Sequence, residues 1–144
     1  FDEVEIVTES APYPMPCISC GSLTESTLTE ALVGEDRRWD IDGQCSMCGA
    51  VWADCGYPQP LPGFRDAILA ANRTTVLELE SVDVAVATLM RALRLTGPLS
   101  LAQAKVLAEQ LHTAGLEGTR VEIEIIMRQL RLMGVPARLQ PDRP

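Results

Sequence analysis

The sequence holds one histidine and one lysine, His112 and Lys105, and its other cations are all arginine. An enzyme needs a nucleophile, a base or an open metal site, and one histidine, one spare cysteine and no glycine-rich phosphate loop give no convergent set. The carboxylates Glu122 and Glu124 are two apart, so on a helix they face different ways and form no acid–base pair. The sequence therefore predicts a protein that is not an enzyme. No apolar run approaches the ~18 residues of a membrane span, and the N-terminus carries no signal-peptide pattern. The expected compartment is the cytoplasm. The chain opens on Phe1 rather than Met, which leaves room for a preceding segment. Internal repeats and low-complexity tracts are absent as well.

Positive charge is scarcest in the first part. Residues 1–60 carry eleven acids against two bases, Arg37 and Arg38, whereas residues 61–144 are nearly balanced. A strongly acidic surface repels phosphate backbones, because nucleic-acid binding leans on cationic contacts. It suits solubility, and it suits a basic protein partner.

What the chain does have is a cysteine pattern. Cys17-Ile18-Ser19-Cys20-Gly21 and Cys45-Ser46-Met47-Cys48-Gly49 are two C-x-x-C-G knuckles separated by 24 residues. Two intervening residues let both sulfurs of a pair reach one tetrahedral ion at ~2.3 Å. The following glycine permits the turn that aims backbone N–H groups at the sulfurs. Cys17, Cys20, Cys45 and Cys48 are therefore the expected ligands of one structural zinc ion in a zinc ribbon. Five cysteines make an odd count, which disfavours a closed disulfide framework. Cys55 is the spare, read as a free thiol or as a substitute for Cys48 in an irregular turn. A closed four-thiolate shell leaves no position for water, so the metal points to structure rather than catalysis.

Three prolines and a glycine in Pro58-Gln59-Pro60-Leu61-Pro62-Gly63 predict a semi-rigid connector. The expected organisation is a ribbon over 1–57, a linker over 58–63 and an α+β domain over 64–144. In the ribbon, Val4–Val7, Trp39–Ile41 and Ala50–Ala53 alternate as strands, with Asp42-Gly43 as a tight turn. Large apolar residues are too few there for a self-sufficient core, so metal is expected to supply the missing stability.

Beyond the linker, Phe64–Ala71 reads as a short helix ended by Asn72, and Thr75–Glu80 as a strand. Ser81 is the expected N-cap of a helix carrying Val82, Val86, Leu89, Met90 and Leu93, broken at Gly97-Pro98. Ser100 with Gln103 and Thr119 with Glu122 form capping boxes for two further helices, closed by Gly115 and Gly134. Val135, Ala137 and Leu139 close the chain as a strand, at a sheet edge because of Pro136. The order β-α-α-α-β, after the leading helix, predicts a sandwich with three helices on a small sheet.

Leu99-Ser100-Leu101-Ala102-Gln103-Ala104-Lys105, with Thr96-Gly97 before it and Gly134-Val135-Pro136-Ala137-Arg138-Leu139 after it, resembles the C-terminal domain of the bacterial ribosomal stalk protein over about residues 75–140. That resemblance implies a three-stranded sheet backed by three helices. It also implies a non-catalytic surface that recruits translational GTPases, with Arg91, Arg94 and Lys105 as the cations of its helical face. His112-Thr113-Ala114-Gly115 resembles the His-x-x-Gly turn of the ClpS adaptor family, which shares this fold. There the histidine helps hold the N-terminal amine of a degradation substrate; the family's acidic stretch is replaced by Leu79-Glu80-Ser81.

The function expected is that of a zinc-binding protein-interaction protein, a translation-associated factor or an immunity protein neutralising a basic toxin. The alternatives are a nucleic-acid-binding ribbon, with Trp39 and Trp52 as stacking platforms, and a ClpS-like adaptor.

Overall fold

The computed structural model describes residues 5–140, so Val4 of the first expected strand lies outside the described residues. Helix and strand are mixed, and the chain splits into two compact units, Phe1–Arg73 and Thr74–Pro144.

The first unit is a five-stranded antiparallel sheet with one helix. Strands β1 (Ile6–Pro12), β3 (Leu23–Val33), β4 (Asp36–Gln44) and β5 (Val51–Tyr57) lie side by side in that order, and β2 (Met15–Pro16) pairs with the start of β3. Strand β3 is the longest and was not expected. Its inward face reads Thr24, Ser26, Leu28, Glu30, all buried. A polar inner face hides the hydrophobic alternation that marks a half-buried strand. The Thr24 hydroxyl donates to the Met15 carbonyl at 2.7 Å and sits 2.6 Å from Ser26 Oγ. Glu30 accepts two hydrogen bonds from Arg37, at 2.6 and 2.9 Å.

Asp42 and Gly43 lie inside β4 rather than in a turn. Gly43 is there for space: a Cβ would sit 2.8 Å from both Ser26 Oγ and the Trp52 ring. The β3–β4 turn is Gly34-Glu35, opened by Gly34 at φ 63°, as a two-residue hairpin requires.

Helix α1 (Phe64–Asn72) belongs to this unit, not to the following domain. Phe64 and Ile68 are fully buried against Ala11, Leu28, Trp39 and Ile41. The proline segment is thus a return loop within one core. Tyr13 Oη donates to the Pro62 carbonyl at 3.1 Å, and Asn72 Nδ2 donates to the Ser10 carbonyl at 2.9 Å. Prolines interrupt regular hydrogen bonding wherever they stand, whether or not a core ends there. The boundary itself is Arg73, which adopts φ 66° between α1 and the next strand.

The second unit runs β6 (Thr75–Leu79), α2 (Val86–Thr96), α3 (Leu101–Thr113), β7 (Leu116–Gly118), α4 (Arg120–Leu132) and β8 (Ala137–Leu139). Its three-stranded antiparallel sheet is ordered β7-β6-β8. Strand β7 corrects the expected β-α-α-α-β order; three residues are too few to show a period. Helix α2 begins at Val86, not after Ser81, whose hydroxyl instead accepts the Asp83 N–H at 3.2 Å in a local turn. Both capping boxes form as expected, Ser100 with Gln103 and Thr119 with Glu122. Leu77, Leu89, Leu93, Ile123 and Leu130 centre the core, with Ala92 and Ala108 buried between helices. Among the described residues no helix is long and apolar enough to cross a membrane.

Candidate metal centre

The spacing of 24 residues between the cysteine pairs is one hairpin. Strand β3 runs away from the first pair and β4 returns to the second, with Glu25 opposite Gln44. Antiparallel pairing therefore brings both knuckles to one end of the sheet. Each closes a hairpin of its own, β2 to β3 and β4 to β5.

The two turns match bond for bond. The Gly21 N–H donates to the Cys17 carbonyl at 2.9 Å, and the Gly49 N–H to the Cys45 carbonyl at 2.8 Å. Cys17 N–H reaches the Ser22 carbonyl at 2.7 Å, and Cys45 N–H the Ala50 carbonyl at 2.8 Å. Gly21 and Gly49 sit at φ 77° and 78°, a left-handed conformation that side chains other than glycine adopt at a cost.

Four sulfurs result within 4.8 Å of one another. Cys17 Sγ lies 3.6 Å from Cys48 Sγ, and Cys20 Sγ 3.5 Å from Cys45 Sγ. The edge of a tetrahedron with metal–sulfur bonds of ~2.3 Å is about 3.8 Å. The donor set therefore fits a tetrahedral, thiolate-preferring ion and can hold a metal. Cys17 and Cys45 are buried while Cys20 and Cys48 face solvent. Cys55, exposed in β5, stands outside the cluster.

Electrostatics within the cluster follow from crowding. Backbone N–H groups of Cys20 and Ser19 hold the Cys17 thiol below its ordinary value. The Ser22 hydroxyl and the Ser22 amide lower Cys20 to about 6. For Cys48 the Ala50 amide favours the thiolate, but the Cys17 sulfur, desolvation and the other two sulfurs outweigh it and push the thiol up to about 12. Four sulfurs this close resist ionising together, and a divalent cation reverses that balance while releasing protons.

The other expected site residues are not gathered in this way. Arg91 on α2 and Lys105 on α3 are exposed. Arg94, also exposed, donates from Nε to the Leu99 carbonyl at 3.3 Å. His112 is half-buried with Nε2 2.8 Å from the Val82 carbonyl, so its ring ties α3 to the loop before α2. Glu122 accepts the Thr119 N–H at 2.9 Å. Glu124 is buried and ion-paired with Arg120 and Arg128 at 3.5 and 3.1 Å. Trp39 is fully buried and Trp52 half-buried against Gly43. The sequence reading missed an open apolar hollow of about 440 Å³ lined by Leu99, Ala102, Gln103, Val106 and Leu107. Its signal was the outward apolar pair Ala102 and Val106, four residues apart on a helix.

Comparison with protein-family models, with curated proteins and with solved structures returns no match.

Proposed function

We propose that this chain is a non-catalytic protein-interaction protein whose first unit is a zinc ribbon. The observation that carries the reading is the pair of matched knuckles with four sulfurs near tetrahedral spacing. Zinc is favoured because it takes four thiolates without a redox change. A closed shell of this kind would hold the sheet end together, and the acidic balance of the first part supports a basic protein as the partner.

The second unit would supply a helical docking face. Its three-stranded sheet backed by α2, α3 and α4 is the architecture that the resemblance to the ribosomal stalk domain implies, and the hollow along α3 supports such a face. A translation-associated factor and an immunity-type neutralising protein both fit. A ClpS-like adaptor fits less well, because the His112 ring is engaged by the Val82 carbonyl. A nucleic-acid reader fits less well on charge and because Trp39 is buried.

The test has two arms. Metal analysis of protein purified under reducing conditions should find one zinc per chain, lost on Cys17→Ser or Cys48→Ser. Capture of partners from the native host should weaken as salt rises. Protein without metal, or tight nucleic-acid binding at physiological salt, would overturn the reading.

A further inference from the structure

The knuckles and the strands that follow them carry large apolar residues left exposed to solvent. Ile18 is 89% exposed, Leu23 67%, Met47 75% and Val51 76%. Ile18 and Met47 sit inside the two knuckles. Leu23 and Val51 stand six positions after Cys17 and Cys45, at the first residue of β3 and of β5. Register places Leu23 and Val51 on one face of the sheet. Glu25, two residues beyond Leu23, pairs with Gln44, and Gln44 pairs with Val51. This face is opposite the one α1 covers, which holds Leu28, Trp39 and Ile41.

Acids outnumber bases on that face. Beside the apolar residues stand Glu25 and Asp42, both exposed. Further along lie Asp36 and Asp40, with Arg38 as the base among them, already paired to Asp40 at 3.2 Å. Four thiolates around a divalent ion add about two negative units at the same end. Exposed apolar side chains on a frame that metal would cross-link would lose little freedom on binding, which suits an anchor. Anionic polymers are repelled by such a face. A second copy would bring like charge against like.

We propose that the metal end of the open sheet face is a docking site for a cationic amphipathic segment of another protein. Its apolar residues would pack on Ile18, Leu23, Met47 and Val51 while its Lys or Arg face Glu25 and Asp42. This placement rests on the ribbon reading above and names the surface and the partner chemistry.

The experiment titrates the zinc-loaded, isotope-labelled full chain with a synthetic peptide of about fifteen residues alternating Lys/Arg with Leu. Control titrations use the same peptide with Leu replaced by Ser, and a DNA oligonucleotide. Amide shifts are expected around residues 17–25 and 42–53, with affinity falling as salt rises. The paired changes Ile18→Ser/Met47→Ser and Glu25→Gln/Asp42→Asn should each weaken binding by about tenfold, with zinc content and the remaining amide shifts unchanged. None of these residues ligates metal or enters the core. Equal binding of the Ser peptide, shifts mapping elsewhere, or variants that bind as well as the parent would overturn the proposal. So would concentration-dependent shifts without peptide, which assign the surface to a second copy, or the same shifts with DNA. If zinc and salt-sensitive capture persist while these variants capture normally, the placement fails and the ribbon reading stands. Loss of zinc from the parent protein is the failure of that reading instead.

Discussion

Every aromatic residue of the chain lies at or before Phe64, and the second unit has none. The two units consequently solve burial in different ways. The first packs large flat rings on a sheet: Phe64 meets Tyr13 at 5.0 Å and Trp39 at 5.9 Å between ring centroids. The second brings helices close enough that Ala92, Ala104 and Ala108 are fully buried, with leucine, isoleucine and methionine filling the remainder. The rings gather around Phe64 beneath α1, with Trp52 reaching further over Gly43 beside Ser26. At the metal end the inward residues of β3 are Thr24 and Ser26, and the buried Cys17 and Cys45 replace a hydrophobic contact. A core of small and aliphatic side chains closes on itself; the polar sheet end is instead where four cysteines that could hold a metal ion gather.

The sharpest way to break this comparison is to remove the metal. Chelation, or Cys45→Ser, is expected to destabilise the first unit by several kcal/mol, given ~10–16 kcal/mol for zinc in small metal-dependent folds. Both tryptophans are in that unit, so fluorescence reports on it alone, while helical circular dichroism is dominated by α2, α3 and α4. A red-shifted tryptophan emission with helical signal retained is the expected result; joint loss of both signals would show a single cooperative unit. Next in size is Leu130→Ala, at a fully buried position. It should cost about 2–5 kcal/mol in the helical transition and leave the tryptophan transition in place.

Gly115→Ala is expected to be smaller, about 1–3 kcal/mol in the same helical transition. Gly115 holds φ 100°, and a Cβ would sit 2.7 Å from the Leu77 carbonyl oxygen. Gly21→Ala at φ 77° meets nothing within 4 Å, so it should cost less and register only in fluorescence. The smallest effect belongs to Glu78, whose carboxyl Arg138 and then Gln140 hold below the ordinary range. A lowered folded value means its contribution is full above the unfolded carboxylate pKa and is lost as pH falls through the folded one. Glu78→Gln should therefore lower stability slightly at neutral pH, with parent and variant converging in acid melts.

Local signals were legible where the chemistry is local. Both capping boxes, the glycines at 115 and 134, the edge strand after Pro136 and the turn of each cysteine knuckle all follow from residues within a few positions of one another, whereas the β3–β4 hairpin is what brings the two knuckles together. Strand β3 was not legible, because its buried side alternates Thr24, Ser26 and Glu30, residues that read as surface until Arg37 and Met15 are seen to satisfy them. Helix α1 was legible as a helix but not as part of the first core. Its apolar face shows that it packs, and says nothing about what it packs against.

The sequence by itself determined that Cys17, Cys20, Cys45 and Cys48 form two matched turns, since a C-x-x-C-G knuckle depends only on its own five residues. Tertiary structure alone decided that the first unit ends at Arg73 and that Leu23 and Val51 share an open face with Glu25 and Asp42. Those facts depend on strand register and on which side of the sheet α1 covers, both of them settled by contacts between residues far apart in the chain.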